Sequence, residues 1–236
     1  VEHIREFTRK TIRFGEHFPG LANVASICVY PNFVDTVGLE TGDSGMKITS
    51  VAGGFPTSQT YLEVKMLEIA MAVENGADGV DIVLNVGQMM AGDYEPLANE
   101  IEIIRSEIGS DIVLKVIIES GALQTPELIR KASLLSMLAG ADFVKTSTGK
   151  IPVAATPEAA VVMCGAIKDY YDKTGRKVGF KAAGGVKTPQ DAALYYTIVE
   201  QTLGEEWLTP ELFRIGASSA ANNLLEAITG KEVKYY

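Results

Sequence analysis

Seven apolar runs of strand length alternate with stretches of helical period along the whole chain, and this alternation limits the fold more than any other feature. The runs cover residues 25–30, 47–51, 79–84, 112–118, 143–146, 178–182 and 213–216. Between them Leu62, Met66, Ile69, Ala70 and Val73 fall on one helical face, as do Ile101, Ile104 and Ile108. Thr125-Pro126, Thr156-Pro157 and Thr188-Pro189 mark helix starts, because Thr caps free amides and Pro at the first helical position needs no N–H partner. Thr209-Pro210 leads only into a short turn. Gly76-Ala77-Asp78 and Gly140-Ala141-Asp142 mark helix-to-strand turns, with Gly in the left-handed position that ends a helix.

Unbroken alternation predicts one α/β domain over residues 1–236 with a parallel sheet. An open doubly wound sheet and a closed barrel both satisfy that pattern. No Gly-x-Gly-x-x-Gly follows the first run, which weakens a dinucleotide-binding sheet. Length and the polar residues at several strand ends favour a (β/α)8 barrel. Seven strands are present where eight are needed, and the chain enters on a helix. The expectation is therefore a (β/α)8 barrel whose first strand is missing from this sequence.

The chain is 47% hydrophobic, enough for a large core, and carries a formal charge of −9 with no basic stripe. That balance argues against a nucleic-acid partner. The longest apolar stretches are strand-sized, which argues against a membrane span, and no secretory leader is recognisable. Cys28 and Cys164 give neither a disulfide framework nor zinc spacing, and are expected as reduced, buried thiols in a cytoplasmic protein. No metal is expected, since no cluster of His, Asp and Glu has ligand spacing. His3 and His17 lie away from every strand end.

Chemistry in a barrel sits at the C-terminal ends of its strands. Lys145 and Lys181 end two consecutive apolar runs, where a lone charge is costly unless paired or neutralised. A lysine that loses its proton there is a nucleophile, and two on consecutive strands suggest carbonyl chemistry through a Schiff base. Asp81 and Lys115 lie inside neighbouring runs. A structural ion pair between Asp81 and a lysine accounts for one such charge, but charges in several central strands fit a network lining one cavity. Lys115 fits either reading. Tyr30, Asn32, Asn85 and Glu119 also stand at strand ends, Glu119 either lining the mouth or facing solvent. The segments Thr148-Gly149-Lys150, Gly184-Gly185-Val186-Lys187 and Gly216-Ala217-Ser218-Ser219 look like a phosphate site built from backbone amides, a helix N-terminus and a cation. Thr148-Gly149-Lys150 is not a Walker motif, because the leading Gly and its spacing are absent.

Taken together, these motifs resemble the DeoC-type class I aldolases. The likeness is carried by Cys28-Val29-Tyr30-Pro31, Gly53-Gly54-Phe55-Pro56, Gly76 through Val83, Lys145 through Gly149, Phe180 through Gly185 and Gly216 through Ser219, and extends over essentially the whole chain. The resemblance implies a lyase that reversibly cleaves 2-deoxy-D-ribose 5-phosphate, without a cofactor, in deoxyribonucleotide catabolism in the cytoplasm. It assigns Lys145 as the Schiff-base lysine, Lys181 as the second lysine that tunes it and helps move protons, and Asp81 as the acid/base aspartate. It makes Thr148, Gly149, Lys150, Gly184, Gly185, Val186, Lys187, Gly216, Ser218 and Ser219 the phosphate loops, and Cys28, Asn85 and Lys115 part of the pocket lining. It also implies a homodimer. Two other readings stay open on sequence: an aldolase for another phosphorylated sugar or keto acid, and a phosphosugar-binding barrel without chemistry.

Overall fold

A computed structural model describes residues 1–217 and 219–236. All seven expected strands form: β1 Ser26–Val29, β2 Lys47–Ala52, β3 Gly79–Val83, β4 Val113–Ile117, β5 Phe143–Lys145, β6 Gly179–Ala183 and β7 Phe213–Gly216. They pair parallel, in chain order, in one sheet. Helices α1 Glu2–Ile12 and α2 Phe14–His17 precede β1, and α3 Val34–Thr41 and α4 Leu62–Glu74 follow β1 and β2. After β3 come α5 Val86–Ala91 and α6 Tyr94–Ile108, and after β4 come α7 Ser120–Leu123 and α8 Pro126–Leu138. Single helices α9 Pro157–Thr174, α10 Pro189–Leu203 and α11 Ala220–Thr229 follow the last three strands.

The sheet curls until its two edges come within reach of one side chain. Arg214 Nη1 on β7 donates to Ser26 Oγ on β1 at 3.0 Å. Among the described residues no strand fills the space between those edges, so the architecture is a (β/α)8-type barrel short of one strand. No helix among them is long and apolar enough to cross a membrane.

Side chains alternate across a strand, and here the two faces have different chemistry. Val80, Ile82, Leu114, Val116, Val144, Phe180 and Ala182 face outward into one core beneath the helices. The residues between them (Asp81, Lys115, Phe143, Lys145, Gly179, Lys181 and Arg214) turn to the concave side. Pairing holds them level: Asp81 opposes Lys115, Lys115 opposes Phe143, Phe143 opposes Gly179, and Lys145 opposes Lys181. This is how near-continuous apolar strands carry a charged interior.

Local chemistry at the element ends follows the sequence. Thr125, Thr156 and Thr188 accept hydrogen bonds from the amides of Leu128, Ala159 and Asp191. Such caps contribute about 1 kcal/mol each. The repeated Gly-Ala-Asp turns share a second function. Asp78 accepts from the Ile48 amide at 2.8 Å and Asp142 from the Leu114 amide at 2.9 Å, so each carboxylate clips its strand to the preceding one.

Two expectations change. Ala70 is exposed, and the inward place on α4 belongs to Lys65, whose ammonium donates to Glu100 Oε1 and Ser58 Oγ, each at 2.7 Å. A helical face tolerates that charge because α6 and the loop after β2 supply both partners. Cys28 is exposed rather than buried, since β1 is an edge strand with no neighbour on its outer side. Cys164 is buried in α9, and burial pushes its thiol up.

Phe143 occupies the concave side because its neighbour has no side chain: a Cβ at Gly179 would lie 2.4 Å from the Phe143 ring. Gly179→Ala should therefore lower the stability of the fold by about 1–3 kcal/mol in urea titration. Shrinking the ring in the double variant Gly179→Ala/Phe143→Leu should recover part of that loss. An unchanged denaturation midpoint in the single variant would show that this contact is not tight.

Candidate active site

Asp81 lies at the middle of β3 and is wholly buried. Its Oδ2 accepts from Lys145 Nζ at 2.8 Å and from Lys181 Nζ at 2.7 Å. Its Oδ1 lies 3.0 Å from Lys115 Nζ, a close ion pair without hydrogen-bond alignment. One carboxylate thus gathers ammonium groups from the next three strands. Lys145 and Lys181 keep 5% and 6% of their surface exposed, while Lys115 keeps 1%. Only the first two can meet a substrate from the mouth; Lys115 braces the carboxylate from below.

Burial alone would push the Asp81 carboxyl up, but Lys115, Lys145 and Lys181 together hold it well below the usual carboxylate range. Burial also disfavours the Lys181 ammonium, but Asp81 and Cys28 together more than offset it, so Lys181 is raised. For Lys115 burial wins over Asp81 and the group is lowered. The half-buried Arg214 adds another positive charge on the same side, within Coulombic reach of Asp81. A single anion thus faces four basic groups, and two of them are lysine amines bound to the same carboxylate oxygen.

The expected phosphate segments meet at the rim. Gly149 and Gly184 have φ of +73° and +78°, and a Cβ at Gly184 would lie 3.0 Å from Gly149 Cα and 2.7 Å from Ala154 Cβ. The turns after β5 and β6 therefore touch backbone to backbone, which only glycine allows. Gly185 is also left-handed, with open space around it. Gly216 leaves room for the Lys181 chain, whose Cε would sit 3.1 Å from a Cβ there. Lys150 is exposed at this rim. The amides of Lys187 and Thr188 are already bonded to Asp191, in the cap of α10, while the Val186 side chain is buried in the core. Ser219 precedes α11, and Ser218 lies outside the described residues.

The remaining sequence candidates have different settings. Cys28 faces the same side as Lys181, close enough for a thiolate there to raise the lysine. Asn85 caps α5, accepting from the Gln88 amide at 3.2 Å. Glu119 neither faces solvent nor lines an open mouth: it is buried, and binds the amide and hydroxyl of Thr148. Arg214 was not singled out from sequence, although a charge inside the run Phe213-Arg214-Ile215 was the same signal that marked Asp81 and Lys115.

Residues 15–219 match the family model described as DeoC/LacD family aldolase. The human deoxyribose-phosphate aldolase is 42% identical over 99% of this chain and 74% of its own length. The mouse protein of the same name is 44% identical over 90% of this chain and 68% of its own. Among solved structures, a deoxyribose phosphate aldolase from Aeropyrum pernix, described as tetrameric, superposes with a TM-score of 0.75 at 25% identity, covering 98% of this chain and 85% of the other.

Because Asp81 is the anion that compensates several buried cations, Asp81→Asn should destabilise the fold by about 3–5 kcal/mol at neutral pH. Deprotonating the lysines removes the uncompensated charge, so the deficit relative to wild type should shrink toward pH ~10. In the wild type, a depressed carboxyl stabilises the fold above its unfolded value of ~3.9, and that contribution disappears as pH falls through the lower folded value. Urea titrations of both proteins across pH test this, and a deficit independent of pH would contradict the charge argument.

Proposed function

Because the chain belongs to the DeoC/LacD family of aldolases, we propose that it is a deoxyribose-phosphate aldolase. It cleaves 2-deoxy-D-ribose 5-phosphate reversibly into acetaldehyde and D-glyceraldehyde 3-phosphate. The observation that carries the reading is the pair of lysine amines from adjacent strands on one oxygen of a buried carboxylate. Residues 1–236 act as one catalytic domain, because the strands that supply these groups belong to a single sheet.

The chemistry follows from the charges. The neutral amine of Lys145 adds to C1 of the open-chain sugar, and loss of water gives a protonated imine. Acetaldehyde carries C1 and C2, so the bond that breaks is C2–C3. Its electron pair flows toward the iminium nitrogen and leaves an enamine, while the C3 hydroxyl gives up its proton and becomes the aldehyde of the departing triose phosphate. Asp81, ionised in the buried site, accepts that proton through a water. Lys181, held cationic on the same oxygen, returns a proton to C2 of the enamine. Water then hydrolyses the acetaldehyde imine and frees Lys145. Lys181 serves a second purpose, since its charge disfavours a second ammonium at Lys145.

The triose phosphate end is received at the rim, where Gly149, Lys150, Gly184 and Gly185 present exposed backbone and a cation. The two free cysteines fit a reducing cytoplasmic setting, in which the enzyme consumes sugar phosphate released by deoxyribonucleotide breakdown.

Borohydride reduction in the presence of acetaldehyde should attach a two-carbon adduct to Lys145, located by peptide mass mapping. Lys145→Ala should lose both the adduct and turnover; an adduct that persists on another lysine would move the nucleophile. Lys181→Leu should shift the pH at which imine formation reaches half its limiting rate upward, by about a unit or more. An unmoved profile would refute the coupling between the two lysines.

A further inference from the structure

Glu119 is an unusual residue at an unusual place. It follows β4, is 4% exposed, and has φ +50° and ψ +58°, the left-handed conformation that side-chain-bearing residues adopt only under constraint. The chain on either side is pinned: Ile118 donates its amide to the Lys145 carbonyl, and Ser120 donates to the Thr146 carbonyl. Glu119 therefore stands between two bonds to the strand end that carries Lys145.

Its carboxylate has two partners, both on Thr148. Oε1 accepts from the Thr148 amide at 3.1 Å, and Oε2 accepts from the Thr148 hydroxyl at 2.5 Å. The hydroxyl oxygen in turn accepts from the Lys150 amide at 3.0 Å. The carboxylate thus sets the direction of the hydroxyl proton, and the hydroxyl sets the Lys150 amide. On the far side the same turn rests on Gly184 through Gly149. Among the described residues the Gly149 amide and the Lys150 ammonium have no partner. An acid buried beside a site for a phosphate dianion would repel it by charge alone, so its presence calls for a compensating function.

We propose that Glu119 is a positioning residue for the phosphate end of the site. It occupies both donors of Thr148 and so fixes the turn with the Gly149 amide and the Lys150 ammonium free to receive the phosphate. Thr148 is then a strut rather than a direct ligand. The inference rests on the reading of this rim as the phosphate subsite.

The test compares cleavage of 2-deoxyribose 5-phosphate with that of phosphate-free 2-deoxyribose, and uses inorganic phosphate as a competitive inhibitor. Glu119→Gly removes the carboxylate while suiting the positive φ, so it keeps the backbone conformation. It should raise KM for the phosphorylated sugar and Ki for inorganic phosphate by about tenfold or more, the loss typical of hydrogen bonds to a charged group. Its kcat, and its kcat/KM for the free sugar, should stay within about twofold. Glu119→Gln, which keeps the size and one acceptor, should fall between this variant and the wild type. Equal losses on both sugars, or no loss on either, would overturn the positioning role. If the wild type itself shows no preference for the phosphorylated sugar, the phosphate subsite fails; if it does and Glu119→Gly retains that preference, only the role of Glu119 fails.

Discussion

The Asp81 carboxylate is the interaction on which the interior of this barrel depends. Three lysines on three consecutive strands point to one side of the sheet, and without an anion among them their ammonium groups could not share a buried space. A set of apolar side chains of similar volume would fill the same space at lower electrostatic cost. The network is consequently poor evidence for stability and good evidence for chemistry. Its three contacts also differ: Lys145 and Lys181 share one oxygen near the mouth, while Lys115 holds the other from beneath. A carboxylate gripped from both sides is held against rotation, so Lys115 helps to maintain the orientation of the upper oxygen.

What made this arrangement legible in the sequence was contrast. A charge inside an apolar run stands out, and Asp81, Lys115, Lys145 and Lys181 were visible on that ground alone. The seven strands and three Thr-Pro caps were legible for a related reason: period, branching and capping chemistry act within a few residues of one another. The register was not. That Lys145 and Lys181 stand level, while Asp81 is level with Lys115, comes from pairing between strands 30 or more positions apart. No local pattern reports it.

Elsewhere the signal was present but its sign was hidden. Lys65 on α4 was not singled out from sequence, and it is buried because Ser58 from the loop ahead of its helix and Glu100 on α6 come to it. Glu119 looked like a mouth or surface acid for the same reason, as its partner Thr148 is brought by the next strand, β5, 29 positions further along the chain. Cys28 went the other way: a small apolar residue in a strand reads as buried, and only the position of β1 at the edge of the sheet exposes it. In each case burial was decided by which element lay opposite.

The edge between β1 and β7 bears on the site directly. A complete barrel excludes water from its interior by closing every strand pair, and dry surroundings strengthen each electrostatic contact described above. Here the guanidinium of Arg214 on β7 bonds across to Ser26 on β1. That contact places a permanent cation at the open side, on the strand register next to Lys181. Lys181 thus has Asp81 on one flank and Arg214 on the other, the first raising it and the second opposing that rise. The residue that bonds across to β1 is therefore also a counterweight to Asp81 in its effect on Lys181.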